Sequence, residues 1–165
     1  MRKLSTFALF MVLIFIYSCN SKIDREYIKS LHLTSVPHST FEISIPDHYL
    51  LVESQGPDFN VYYLQPADTT DKKLFSAGMY LGNNPSTFGK TKTGCKQEKR
   101  KTEVLETKNE WTVYNCNGQF FLETIVENKY HQGGDDFIHI FGNATNESDA
   151  EHILAIFSTL IKKKK

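Results

Sequence analysis

The chain has 165 residues, with 19 basic and 19 acidic side chains and a formal net charge of zero. That balance offers no basic surplus for gripping nucleic acid. Hydrophobic residues make up 40%, and twelve Phe and eight Tyr favour strands, which excludes general disorder.

Arg2 and Lys3 open the chain, and an apolar run from Phe7 to Tyr17 leads to Ser18 and Cys19. A charged start, an apolar middle and a small residue before a cleavage point make an export signal. Ile16-Tyr17-Ser18-Cys19 resembles the lipobox of bacterial lipoproteins, with an aliphatic residue three places before the cysteine and a small one just before it. Tyr17 departs from the pattern, which favours a small side chain there. The resemblance covers residues 1–19 and implies that residues 1–18 are removed, that the Cys19 thiol carries diacylglycerol, and that the new amino group is acylated. Each buried methylene would contribute about 0.8 kcal/mol, so several chains anchor durably. Two alternatives stand beside it. An uncleaved transmembrane helix needs roughly 20 apolar residues, more than this run supplies. An ordinary secretory signal would leave Cys19 incidental. Each reading exports the chain. By the same resemblance Asn20, not being Asp, directs the protein to the outer membrane, facing the periplasm.

Without residues 1–18, 147 residues remain, enough for one domain with a real core. The three cysteines are Cys19, Cys95 and Cys116. With Cys19 lipidated, an even pair is left, and an oxidising periplasm predicts a Cys95–Cys116 disulfide. Its loop of about 20 residues would contribute ~3 kcal/mol in the chain-entropy model. The alternative is two free, buried thiols.

Residues 20–40 show no clear period and read as a tether, with a short helical turn around Asp24 to Leu31. The globular part is expected over 41–165. Phe41 to Ile45 alternates apolar and polar residues, as a half-buried strand does. Pro46-Asp47 ends it. Tyr49 to Glu53, Phe59 to Gln65 and Leu74 to Leu81 read as further strands, and Gly78 marks a bulge or a close backbone approach. Residues 82–101 lack a clean period, and the charged run Lys96 to Lys101 reads as a solvated loop face or an anionic contact site. Strands are expected at Thr102 to Glu106 and Trp111 to Cys116, with a turn at Lys108-Asn109. Asn117-Gly118 is a strong hairpin signal. Gln119 to Glu127 pairs back, with Phe120, Leu122, Thr124 and Val126 on one face and Phe121, Glu123, Ile125 and Glu127 on the other. Phe137 to Phe141 closes the sheet, with His139 on the face of Phe137 and Phe141.

Ser148-Asp149-Ala150-Glu151 has capping-box spacing. Ala150, Ile153, Leu154, Phe157, Leu160 and Ile161 then form one helical stripe. Lys162 to Lys165 suit the negative end of the helix dipole, or anionic lipid. The expected class is α+β: an antiparallel sheet of about seven strands packed by a C-terminal amphipathic helix.

Phe41 to Tyr49, a short strand running into Pro, a turn and an aromatic, resembles the opening of Mog1/PsbP-like domains. The final strand followed by an amphipathic helix resembles their ending. The likeness covers the two ends and leaves the middle unmatched. It implies a binding or accessory module and places no catalytic residue.

A search for chemistry returns little. His131 and His139 flank Gly133-Gly134-Asp135-Asp136, which suggests a metal-dependent hydrolase, but the spacing matches no closed zinc pattern. There is no Gly-x-Ser-x-Gly elbow and no phosphate loop. Carboxylates such as Asp58, Asp135 and Asp136 are acid–base candidates without a visible partner. Neither a catalytic residue nor a cofactor is expected. Tyr80 and Phe88, at an aromatic strand end running into a long loop, are the candidate recognition surface. The expected function is non-enzymatic: a lipid-anchored envelope protein that binds a protein or envelope component. A toxin inhibitor or immunity-type lipoprotein is the other binding alternative.

Overall fold

The computed structural model describes residues 25–56, 59–68, 75–130 and 135–164. A short helix α1 (Arg25–Lys29) precedes strands β1 (His32–Ser35), β2 (Phe41–Ile45), β3 (Tyr49–Gln55), β4 (Asn60–Pro66), β5 (Phe75–Gly82), β6 (Lys96–Val104), β7 (Thr107–Cys116), β8 (Gln119–Glu127) and β9 (Phe137–Ala144). Helix α2 (Glu147–Ser158) and a two-residue strand β10 (Ile161–Lys162) complete the chain. The large sheet has seven antiparallel strands in the order β3-β4-β5-β9-β8-β7-β6. A small sheet, β1-β2-β10, lies apart from it. The α+β class expected from the sequence is the one observed.

Side chains alternate across a strand, so each strand of the large sheet has an inner and an outer set. The inner set meets α2, which packs against β5, β6, β8 and β9 and also against β2 of the small sheet. Leu64, Met79, Trp111, Leu122, Ile138 and Ile140 are buried there with Ile153, Leu154 and Phe157 of α2. The Trp111 indole, fully buried, donates to Thr102 Oγ1 at 2.8 Å, so its polar edge is satisfied. Phe41, Ile43 and Ile45 bring β2 into the same core.

The hairpin at Asn117-Gly118 forms as expected: both residues have positive φ, 57° and 90°, and join β7 to β8. Gly78 keeps the ladder in register, so it marks a close approach and not a bulge. A Cβ there would stand 2.7 Å from the Tyr62 carbonyl oxygen and 2.9 Å from Cζ of Phe141, its partner across the ladder.

Four expectations are corrected. Residues 25–36 are not a tether. The Tyr27 ring stacks on His152 of α2 at 3.9 Å, β1 pairs with β2, and Val36 is fully buried. Single apolar residues held by ladder and core contacts leave no period to read. The run Lys96 to Lys101 is part of edge strand β6 and not a loop; the turn that follows is at Leu105-Glu106, both with positive φ. Charges suit an edge strand because they discourage further pairing. Helix α2 is capped by Asn146, whose Oδ1 accepts the Asp149 N–H at 2.9 Å, and not by the Ser148–Glu151 box. Finally, the helix stops before Leu160 and the lysines. Thr159 Oγ1 accepts the Ser44 N–H at 2.8 Å, Leu160 drops into the core, and Ile161–Lys162 pairs with Phe41 and Glu42. Lys162 pairs in β10 and Lys163 donates its Nζ to the Ser39 carbonyl, so these two lysines serve the small sheet and not the helix dipole.

Candidate functional site on the outer face of the sheet

Among the described residues no α-helix packs on the outer face of the large sheet. Its side chains are Val52 of β3, Val61 and Tyr63 of β4, Tyr80 of β5, His139 and Phe141 of β9, Phe121, Glu123 and Ile125 of β8, and Tyr114 of β7. The registers Val52↔Tyr63, Val61↔Tyr80, Tyr80↔His139, His139↔Ile125, Phe141↔Glu123 and Phe121↔Tyr114 place them side by side. Leu50, Val52, Tyr63, Ile125 and Phe137 stay exposed on this face, an unusual run of apolar side chains for a surface.

The segment 83–95, between β5 and β6, crosses part of this face. At its centre a 3-10 turn, Phe88–Lys90, turns the Phe88 ring toward the sheet. That ring meets Phe121, His139 and Phe141 edge-on, with centroids 6.3–6.4 Å away. The Thr91 N–H and hydroxyl both donate to the Phe88 carbonyl and close the turn. The segment's far end is fixed by a Cys95–Cys116 disulfide. This pair extends the β6–β7 ladder by one position past Lys96↔Asn115, and its Cα atoms are 4.6 Å apart, a normal spacing for opposed strand residues.

Beneath the turn lies Glu123. A carboxylate on a sheet face normally reaches solvent, but this residue is only 6% exposed. Burying a charge is costly unless hydrogen bonds replace water. Three donors do so: the Phe88 N–H at 2.8 Å, the Tyr114 hydroxyl at 3.1 Å and His139 Nε2 at 3.2 Å. Burial by itself would push the carboxyl up. The bonds from His139, Phe88 and Tyr114 outweigh it and hold the group below the ordinary carboxylate range. An ionised carboxylate only accepts, so Nε2 of His139 carries the proton between them. Burial and the bond to Glu123 push the Tyr114 hydroxyl the other way, upward.

Between the segment and the sheet is a cavity of about 540 Å³, with Tyr63, Tyr80, Phe88 and Phe141 as its aromatic walls and Lys92 and His139 among its polar lining. Phe141 lies over the bare backbone of Gly78, where no side chain holds its ring off the sheet. A second cavity of about 290 Å³ shares Tyr63 and Phe141 and continues toward Ser76 and Asn143. The size falls within the range of small-molecule sites, and the mix of apolar wall and few polar groups is typical of them.

The structure therefore brings the two residues of the expected recognition surface, Tyr80 and Phe88, into one cavity wall. Cys95 and Cys116 are bonded to each other. Cys19, Asp58 and His131 lie outside the described residues. His139 faces Glu123 and not the aspartates: Asp135 accepts from Asn128, and the Asp136 N–H donates to Asn83. Among the described residues no group of three or more His, Cys, Asp or Glu is placed to hold a metal ion. Among them, too, the hydrogen-bond partner of His139 is the Glu123 carboxylate and not a hydroxyl or thiol. Sequence reading missed Glu123, Lys92, Tyr63 and Phe141. Glu123 was placed on the correct face, but its burial depends on a segment that carries no period. Among the described residues no helix is long and apolar enough to cross a membrane. No protein-family model matches the chain, and the curated proteins include no match to it.

Proposed function

We propose that this chain is a lipid-anchored protein of the bacterial envelope that acts by binding, not by catalysis, and that its site is the cavity beneath the Phe88 segment. The observation that carries the reading is the cavity itself, bounded by a segment that the Cys95–Cys116 disulfide pins at one end. The exposed apolar residues around it, Val52, Ile125 and Phe137, make a rim suited to an envelope component. The resemblance of Phe41 to Tyr49 and of the terminal helix to Mog1/PsbP-like domains points to the same class, a binding or accessory module.

The disulfide supports an exported protein, since such bonds persist in oxidising compartments. Export is what the signal-like residues 1–19 call for. With acyl chains on Cys19, the first residue of α1 follows six positions later. A chain of that length reaches no more than about 20 Å, so the domain would work close to the bilayer.

Two measurements test the two halves. Metabolic palmitate labelling of the full chain in a bacterial host should label the wild type and not Cys19→Ala; label retained in Cys19→Ala would rule out the anchor. Native mass spectrometry of the protein isolated from membranes should show a bound small molecule that Phe88→Ala and Tyr80→Ala lose. A ligand retained in both variants would place binding elsewhere.

A further inference from the structure

We infer that the cavity selects an organic acid: a flat, mostly apolar body bearing one anionic group, held with that group toward Lys92. The inference rests on the binding role proposed above and adds the class of ligand. The walls supply the apolar half. Tyr63, Tyr80 and Phe141 come from three strands and Phe88 from the crossing segment, and all four line one space, so a planar body stacks or meets their edges.

Charge supplies the other half. Lys92 lines the same space. Its ammonium lies 3.3 Å from the centroid of the Phe121 ring and 5.9 Å from that of Phe88. It meets no carboxylate among the described residues, and an aromatic face holds a cation without neutralising it. The nearby anion, Glu123, does not offset it. That carboxylate is not part of the lining, and Phe88, Tyr114 and His139 occupy it. The cavity thus has in its lining a lysine that meets no carboxylate among the described residues, its ammonium resting on the adjoining Phe121 ring. The hydroxyls of Ser86 and Thr87 also line it and can donate to acid oxygens, while that of Thr91 is spent on the Phe88 carbonyl. A neutral ligand would leave the ammonium unanswered, and a cationic one would be repelled.

Titration calorimetry on the full chain, with three naphthalene probes of one shape, tests this. The probes are 2-naphthoate, 2-naphthamide and 2-naphthylmethylammonium. Wild type should bind naphthoate about tenfold tighter than naphthamide, in the range of one charge contact, and should bind the ammonium probe least. Lys92→Met should abolish the preference for naphthoate and leave naphthamide affinity unchanged. Phe88→Ala should weaken naphthoate and naphthamide together. Equal binding of naphthoate and naphthamide by wild type, or a preference that survives Lys92→Met, would overturn the ligand class and leave the binding role standing. Failure of all three probes to bind would remove both.

Discussion

The backbone N–H of Phe88 donates to the buried carboxylate of Glu123 across 35 positions of sequence, at 2.8 Å. That bond ties the segment over the cavity to β8, whose Glu123 lies outside the lining. The carboxylate also takes the Tyr114 hydroxyl and His139 Nε2, so one charged group fixes three elements: the roofing segment, β7 and β9.

This gives a pH dependence with a definite sign. The folded state holds the Glu123 carboxyl below its ordinary range, so the unfolded chain binds that proton more readily. Its contribution to stability is fully present above the ordinary glutamate value of about 4.3 and is lost as pH falls through the lower folded value. Glu123→Gln should cost about 1–3 kcal/mol at pH 7, and the gap from wild type should narrow below pH ~4. Urea melts at a series of pH values measure this; a gap that stays constant down to pH 2 would contradict the assigned role.

The disulfide restrains the same roof from its far end. Cys95→Ser with Cys116→Ser should lower stability by about 2–4 kcal/mol through the freed unfolded chain. It should also raise amide exchange in residues 83–95 well above that in β8 and β9. Exchange that rises evenly over the whole sheet would show that the bridge stabilises the fold without holding the roof.

Gly78 lets the Phe141 ring lie against the sheet. A side chain there meets the Tyr62 carbonyl and the Phe141 ring. Gly78→Val should displace Phe141 into the cavity and cost about 1–3 kcal/mol by overpacking. Naphthoate binding should fall more steeply than stability, as read by calorimetry beside thermal melts. Unchanged binding would mean that the Phe141 side of the cavity is not used.

Away from the site, Arg100 of edge strand β6 is the link to α2. Its side chain is 11% exposed and donates to Glu98, to Glu147 at 3.0 Å and to Glu151. Burial pushes the Glu151 carboxyl up, Arg100 pulls it back, and Glu147 and Glu98 push it up again, leaving it above the ordinary range. Three carboxylates around one guanidinium cannot dispense with it. Arg100→Met should cost about 3 kcal/mol at pH 7 and less at pH 4, where carboxylates begin to protonate. Equal denaturation midpoints at pH 7 would show the cluster to be inert.

The sequence made the strands legible where alternation was strong. Phe41–Ile45 and Gln119–Glu127 appear with the bounds that their patterns predict, and Asn117-Gly118 turns between β7 and β8. Tyr80 and Phe88 were singled out on composition, and the fold brings them to one cavity. What stayed hidden depended on distant partners. Lys96 to Lys101 looks like a loop because the ladder to β7 and the carboxylates of α2 are what make it a strand. The capping box at Ser148 lost to Asn146, two residues earlier, and Glu151 went to Arg100 instead. Glu123 read as one more outward-facing acid; only the crossing of residues 83–95 over the sheet buries it.

Hydrogen exchange with and without 2-naphthoate tests the central claim most directly, because it locates the ligand on the full chain. Added ligand should protect amides in residues 83–95 and in the strands below, β5, β8 and β9, and leave the small sheet of β1, β2 and β10 unchanged. Protection confined to the small sheet or to α2, or none in residues 83–95, would contradict the assignment of the cavity as the site.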